Sequence, residues 1–436
     1  MSTRYSVPAG HIAGFVNALS VLAGFLCLGT DQGRSRLISA LPHRQWQFGD
    51  QAGAFAATVG QVVDAHGAIA GADHCGFIAG CLFYEAGRHT VPGFRSRRPP
   101  MDSLGWAGLY LWHLKLDDNS GAGTPALLSF DDACPAALKT RVLALLEQSE
   151  QAPPLPPFRI TTPFRARGTE EDYRRGVARI LDYIHAGDCY QANLSQQFEG
   201  RFHGSPWLAW QALVQAIPVP HGGFLDAGPW QLLSVSPELF LDIADGQVIS
   251  KPIKGTRPRS EDPAQDRALA RELAENSKDR AENLMIVDLI RNDLSHFCEP
   301  FSVQVPALFA VESYRNVHQL VSTVTGRLSA GTSPFEAMVS AFPGGSITGA
   351  PKRRAMEIID ELESHGRGPY CGSLFRWQAD NRLESNIAIR SLQARNDGVI
   401  RAWAGCGIVA DSDPGDEYRE SLSKIQRLLT TLENLP

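Results

Sequence analysis

The stretch Glu384-Ser-Asn-Ile-Ala-Ile-Arg-Ser-Leu-Gln-Ala-Arg395-Asn-Asp-Gly-Val399-Ile-Arg-Ala-Trp-Ala-Gly-Cys-Gly-Ile408 predicts two successive strands, Glu384–Arg395 and Val399–Ile408. A helix over about Pro414–Leu432 is predicted to follow them. Upstream, strands are predicted at Tyr190–Phe198, Leu232–Ile243, Val248–Pro252, Phe301–Leu308, Val321–Leu328 and Tyr370–Arg376. Between them fall helical patterns over Thr169–Ala186, about Pro263–Asp293, and Pro351 to about Glu363. Thr169 is an N-cap candidate followed by three acidic residues, where the helix dipole favours negative charge. Tyr173, Val177, Ile180, Leu181 and Ile184 form its apolar stripe. Helices mixed with antiparallel-looking strands give an α+β class.

Residues 1–150 are less informative. Cys75–Phe83, Gly105–Leu114 and Ala126–Phe130 read as strands, and Cys134–Gln148 as a helix. Ile12–Leu28 is the one membrane-like stretch, but it carries Asn17 and Ser20 and is too short to span. A buried helix followed by a strand, Phe25–Leu28, is expected there. Ala152-Pro-Pro-Leu-Pro-Pro157 cannot continue a helix and marks a connection.

The chain has 436 residues, 43% of them hydrophobic and 20% charged, which excludes a disordered, collagen-like or multi-span membrane protein. A net charge of −6 gives no bulk field for nucleic acid. None of the eight cysteines forms a CxxC pair, so a zinc ribbon is not expected, and a reducing cytoplasmic setting is. The histidines show no HxH, HxxxH or HExxH spacing.

Phe342-Pro-Gly-Gly-Ser-Ile-Thr-Gly-Ala-Pro-Lys352 offers amides and hydroxyls ahead of a helix, which suits an anion as well as a plain turn. It is no P-loop, because Ala350 and Pro351 stand where Lys and Ser/Thr belong. Lys254 lies between Pro252 and Gly255 at a strand end; it is either solvated or a pocket nucleophile. Asp279 and Glu282 share a helix face, as do Glu417 and Glu420 at another helix start. Two such pairs suit a hard divalent cation such as Mg2+. The alternatives are ion pairs: Asp279 with Lys278 or Arg280, and Glu420 with Lys424. Gln191 and Asn193 alternate on a strand and are candidates to line a cavity. Arg390 would point to one strand face, where it is either an exposed edge residue or a fork onto a carboxylate.

These stretches together resemble the chorismate-utilising enzymes, which include anthranilate, aminodeoxychorismate, isochorismate and salicylate synthases. The matching blocks are Tyr190–Ser195, Ser234–Phe240, Pro252–Thr256, Glu282–Asp293, His318–Ser322, Gly344–Lys352, Gly368–Gly372, Asn386–Arg390 and Gly405–Lys424. They stand in family order over about residues 168–430. The resemblance implies a large antiparallel two-sheet sandwich with outer helices. Residues 1–150 would be a strand-rich part packing onto it, 151–168 a proline-rich connection, and 169–436 the chorismate-binding catalytic domain. At Pro-Ile-x-Gly-Thr, anthranilate synthases typically carry alanine and aminodeoxychorismate synthases lysine, here Lys254. Isochorismate and salicylate synthases place a water-activating lysine where this chain has Gln191. The resemblance is therefore with component I of aminodeoxychorismate synthase, on the route to p-aminobenzoate and folate; anthranilate synthase component I is the alternative. The N-terminal segment Ser35–Ala40 lacks the Leu-Leu-Glu-Ser run of tryptophan-regulated members. A noncatalytic chorismate-binding protein would be expected to have lost Glu238, Lys254, Glu282 or Glu420, and all four are present.

The mechanism so implied has Mg2+ held by Glu282 and Glu420, with Asp279 and Glu417 close by, on the ring carboxylate of chorismate. Lys254 attacks ring C2 and Glu238 protonates the departing C4 hydroxyl. Tyr370, Arg390 and the Gly344–Thr348 loop, including Gly345, Ser346 and Thr348, would hold the enolpyruvyl carboxylate. Thr256, Gly405 and Lys424 would complete the cavity. His318 matches a family position without an assigned step. No cysteine carries a glutaminase-type elbow, so ammonia is expected from a separate glutamine amidotransferase subunit. The C-terminus leaves no space for a fused lyase, so the expected product is aminodeoxychorismate rather than p-aminobenzoate.

Overall fold

The computed structural model of the chain describes residues 2–30, 33–71, 73–99, 101, 103–117, 124–151, 153–314 and 317–435. Ala152, which opens the proline run, lies outside the described residues. Two antiparallel sheets dominate, of twelve and ten strands.

The larger sheet runs from Thr3–Val7 through Ala126–Phe130, Trp112–Asp117, Ser35–Ser39 and Leu26–Thr30 to Gly223–Asp226. It continues through Trp230–Ser234, Ser391–Arg395, Val399–Ile408 and Gln191–His203, where Arg159–Ala166 and the short Gly349–Ala350 attach. The smaller sheet runs Ile253–Pro258, Val317–Arg327, Gln247–Ser250, Leu239–Ala244, Leu383–Asn386, Ser373–Gln378, Phe77–Leu82, Gly105–Tyr110 and Arg44–Gln47. Gln304–Ser313 pairs beside Val317–Arg327. Both sheets thus mix strands from the two ends of the chain.

Side chains alternate across each strand, and the two faces of the larger sheet bury different partners. Leu225 and Leu232 join Leu26, Leu28, Phe77, Cys81 and Leu374 between the sheets. Their neighbours Phe224 and Leu233 face outward onto Phe15, Trp207, Trp210, Ile425 and Leu428 of the covering helices. This is the layered packing of a sandwich.

Periodicity placed most elements correctly. The helix Glu170–His185 opens with the expected Thr169 cap, as a capping box with Asp172. The N-terminal membrane-like stretch is the helix Ala9–Leu19 followed by the strand Leu26–Thr30. No helix among the described residues is long and apolar enough to cross a membrane.

Three expected single strands are each divided, and each half belongs to a different sheet. Gly105–Leu114 is Gly105–Tyr110 and Trp112–Asp117. Leu232–Ile243 is Trp230–Ser234 and Leu239–Ala244. Glu384–Arg395 is Leu383–Asn386 and Ser391–Arg395. A run apolar on both sides of such a crossing has no period that reveals it. The expected long helix Pro263–Asp293 likewise divides into Pro263–Glu275 and Ser277–Ser295. Asn276 between them is extended, and its side chain caps the second helix at Asp279 N.

Candidate active site

Two of the sheet crossings meet. The backbone N–H of Val235 donates to Arg390 O at 3.1 Å, and that of Ile387 to Glu238 O at 3.1 Å. The Ser236 hydroxyl donates to Ile387 O at 2.5 Å and accepts the Glu238 N–H at 3.2 Å. Glu238 and Arg390 therefore stand in paired crossings, where residues leave both sheets. Arg390 adopts a left-handed backbone, φ 50°, which a regular strand would not allow. Both side chains line a cavity of about 610 Å3.

Lys254, Thr256, Asp279, Glu282, Ser346, Tyr370, Gly405, Glu417, Glu420 and Lys424 line the same cavity. Gly255 lets the Lys254 strand approach the helix of Asp279: its φ is 77°, and a Cβ there would lie 2.7 Å from Asp279 Cγ. Gly405 is small for a related reason, since a Cβ would stand 2.3 Å from Leu194 O on the paired strand.

Four expected residues do not line the cavity. His318 is buried among Asp266, 3.0 Å from Nε2, and Ser313, 2.8 Å from Nδ1. Thr348 turns its hydroxyl back onto Gly344 O and Gly345 O, at 3.0 and 3.3 Å. Gly345 lies against Leu289, 2.5 Å from where a Cβ would stand. Gln191 packs against Gly407 behind the wall, with both amide atoms buried and without a hydrogen-bond partner. From the glycine loop, Ser346 and Ile347 reach the cavity.

Sequence reasoning missed Arg257, Gln319 and Trp403 as lining residues. Arg257 directly follows the block Pro252–Thr256, but its charge alone did not distinguish it. Its guanidinium holds Asp279 at 3.1 Å, so neither Lys278 nor Arg280 is the partner. Trp403 reads as an ordinary strand aromatic; its ring stacks with Tyr370 at 6.3 Å and 9°.

The electrostatics separate the carboxylates. Burial pushes the Glu238 carboxyl above its usual range, against the opposing pull of Ser346, Lys254, Arg390 and Lys424. Burial also raises Glu282, with Asp279 and Glu417 adding to the effect and Lys254 and Lys278 opposing it. Glu420 is held low: burial opposes its charge, but Lys424 at 2.7 Å outweighs that. Lys424 also donates to Gly405 O at 3.3 Å. Lys254 has no carboxylate within ion-pair distance among the described residues, whereas Lys251, Lys352 and Lys424 each have one.

The acidic groups fit a hard cation. Asp279 and Glu282 face the cavity from one helix, Glu417 and Glu420 from another. Glu417 and Glu420 bring oxygens within 4.8 Å of each other and of the Cys406 sulfur. That thiol donates to Glu417 O and is pushed up to about 12 by burial, so it stays protonated. The available ligand atoms are then oxygens, which suit Mg2+.

The family model of chorismate binding enzymes matches residues 31–430. Aminodeoxychorismate synthase component 1 of Salmonella typhimurium is 42% identical over 81% of this chain and 76% of that protein. The Escherichia coli protein of the same name is 43% identical over the same shares. Anthranilate synthase component 1 of Thermus thermophilus is 42% identical, over 62% of this chain and 58% of that protein. Among solved structures, anthranilate synthase component I from Streptococcus pneumoniae superposes with TM-score 0.76 at 26% identity, covering 91% of this chain and 92% of that one. The menaquinone-specific isochorismate synthase of Escherichia coli has TM-score 0.75 at 18% identity, covering 100% of this chain and 94% of that one, which bears on the fold alone. A match over nearly the whole chain, with the matched blocks folded around one acidic and basic cavity, makes this chain a member of the chorismate binding enzyme family.

Proposed function

We propose that this chain converts chorismate and ammonia to 4-amino-4-deoxychorismate. The observation that carries this is Lys254: a cavity lysine without an ion-pair partner among the described residues, sharing its cavity with the buried acid Glu238. Without a carboxylate at ion-pair distance, the Lys254 nitrogen is left available to the substrate, as a nucleophile requires.

The neutral Lys254 amine attacks C2 of the ring. Both double bonds shift along the ring and the C4–O bond breaks, with Glu238 giving its proton to the departing oxygen so that water leaves. Ammonia then adds at C4 and gives a proton back to the Glu238 carboxylate, both double bonds return, and the C2–N bond breaks to release Lys254 as the neutral amine. Two displacements give net retention at C4. Arg390 and Ser346 orient the enolpyruvyl carboxylate, with Tyr370 packed beside them. Asp279, Glu282, Glu417 and Glu420 would hold Mg2+, which supplies positive charge for the ring carboxylate. Burial raises the Glu238 carboxyl above its usual range, which favours the protonated form that a general acid requires.

A separate glutamine amidotransferase subunit is the proposed ammonia source. A reducing cytoplasmic compartment is in keeping with eight free cysteines, none in a disulfide.

The test is to incubate the chain with chorismate, Mg2+ and ammonium salt at alkaline pH. Aminodeoxychorismate, converted to p-aminobenzoate only after a lyase is added, is the expected product. Anthranilate would transfer the reading to the tryptophan route and leave Lys254 without its role. Isochorismate or salicylate would overturn the inference drawn from Gln191.

A further inference from the structure

Trp403 lines a second cavity, of about 520 Å3, as well as the reaction cavity. The strand Val399–Ile408 runs beneath both. Side chains two apart share a face, so Arg401, Trp403, Gly405 and Gly407 point the same way. Arg401 and Trp403 line the second cavity, while Trp403, Gly405 and Gly407 line the first.

Neighbouring strands extend this face in register. Gln393 stands opposite Arg401, Gln197 opposite Trp403, and Arg395 opposite Trp230. All of them line the second cavity. The inner face of a sandwich is ordinarily apolar, as it is here at Leu26, Leu28, Leu225 and Leu232. In this corner it carries two guanidiniums and two buried amides, Gln197 and Gln393, only 4% and 8% exposed. The two buried amides put polar atoms on an otherwise apolar face, where a polar ligand would meet them.

Among the described residues, the cavity lining is also unbalanced in charge. Arg88, Arg98 and Arg167 line it together with Arg395 and Arg401, against a single described carboxylate, Glu85. Glu85 is occupied elsewhere, accepting the backbone N–H of Arg367 at 2.7 Å and of Gly368 at 3.0 Å. The acidic partners of four of the arginines, Asp50, Asp360, Asp397 and Glu199, are not among the lining residues. Arg167 has no carboxylate partner among the described residues; it donates to Gln197 Oε1 at 3.5 Å.

We propose that this cavity is a second ligand site, taking a small planar carboxylate. Its carboxylate would sit among Arg167, Arg395 and Arg401, and its ring against the indoles of Trp230 and Trp403. The site would communicate with the first through the wall they share. The Trp403 indole N–H donates to Gly366 O at 3.1 Å, and its ring stacks with Tyr370 in the reaction cavity. Glu85, on the other side of the second cavity, holds the turn that leads into Tyr370. A ligand that displaces Trp403 changes both cavities, and the coupling is reciprocal.

The test is calorimetric titration of the full chain, with Mg2+, using 4-hydroxybenzoate as the probe and inorganic phosphate as the comparison. Saturable binding of 4-hydroxybenzoate, tighter than phosphate, is expected. Arg395→Ala with Arg401→Ala should weaken it about tenfold or more, as loss of a charged hydrogen bond implies. Those side chains are 46% and 31% exposed, so the fold should tolerate the change. Arg167→Gln, on an exposed residue, is the second variant and should weaken binding in the same direction. Arg390→Ala, in the reaction cavity, should leave probe binding unchanged. The proposal is overturned if no saturable heat appears or if phosphate binds as well as the probe. It is equally overturned if Arg390→Ala abolishes binding while the Arg395/Arg401 variant retains it, for the probe then occupies the reaction cavity.

Discussion

At the scale of single residues, Lys254 and Glu238 divide the proposed chemistry between nucleophile and acid. Lys254→Ala should abolish aminodeoxychorismate formation or redirect the chemistry; a variant making that product at the normal rate would sink the covalent route. For Glu238, burial shifts the carboxyl towards its protonated form, and the acid works only while protonated. Activity should therefore fall as pH climbs through the raised Glu238 pKa. Glu238→Gln should lower kcat roughly 10²–10⁴-fold and remove that limb from the pH profile. A Gln variant keeping the limb would assign it to another group. Both residues were legible in the sequence as motif members. What the sequence did not show was that Lys254 lacks an ion-pair partner among the described residues, because that depends on which carboxylates the fold brings near.

At the scale of elements, the site depends on the crossings between sheets. Ser236 ties one crossing to the other through Ile387 O and the Glu238 N–H. Ser236→Ala should cost about 1–3 kcal/mol, because it leaves buried backbone groups unpaired. Denaturant unfolding measures that loss, and kcat should fall with it if Glu238 shifts. A second support is Arg367, 1% exposed, whose guanidinium joins Glu363, Ile347 O and Asn193 O. Burial is the largest influence on Glu363 and opposes its charge, but Arg367, His365 and Ser195 outweigh it and hold the carboxyl low. That stabilisation is present at neutral pH and is lost as pH falls through the lowered pKa. Arg367→Ala should destabilise by about 3–5 kcal/mol, since it strands a buried carboxylate. Unfolding at neutral pH within 1 kcal/mol of the unaltered chain, roughly the value of an exposed pair, would show that water replaces the guanidinium. The crossings themselves escaped sequence reading: Leu232–Ile243 and Glu384–Arg395 are apolar enough on both sides of each break to resemble continuous strands.

At the scale of the molecule, four carboxylates on two helices converge on one cavity; Asp279 and Glu420 are paired with Arg257 and Lys424, and a divalent cation would relieve the repulsion that remains. Mg2+ should raise the unfolding temperature, since a ligand that binds only the folded state stabilises it by about 2.7 kcal/mol at a hundredfold excess over Kd. Chelation should abolish activity while leaving the sheets intact by circular dichroism. Activity unchanged after exhaustive chelation would remove the metal from the proposal. The sequence by itself determined the class of the fold, several helices including the one capped by Thr169, and the residue types needed for the chemistry, because period, capping and motif order are local properties of the chain. Only the tertiary structure decided which residues meet. It divided the long strands between two sheets and paired Asp279 with Arg257. It placed His318, Thr348, Gly345 and Gln191 outside the cavity lining and left Trp403 shared by two cavities. Those outcomes follow from the packing of strands distant in sequence, and no local pattern records which distant strand will lie opposite.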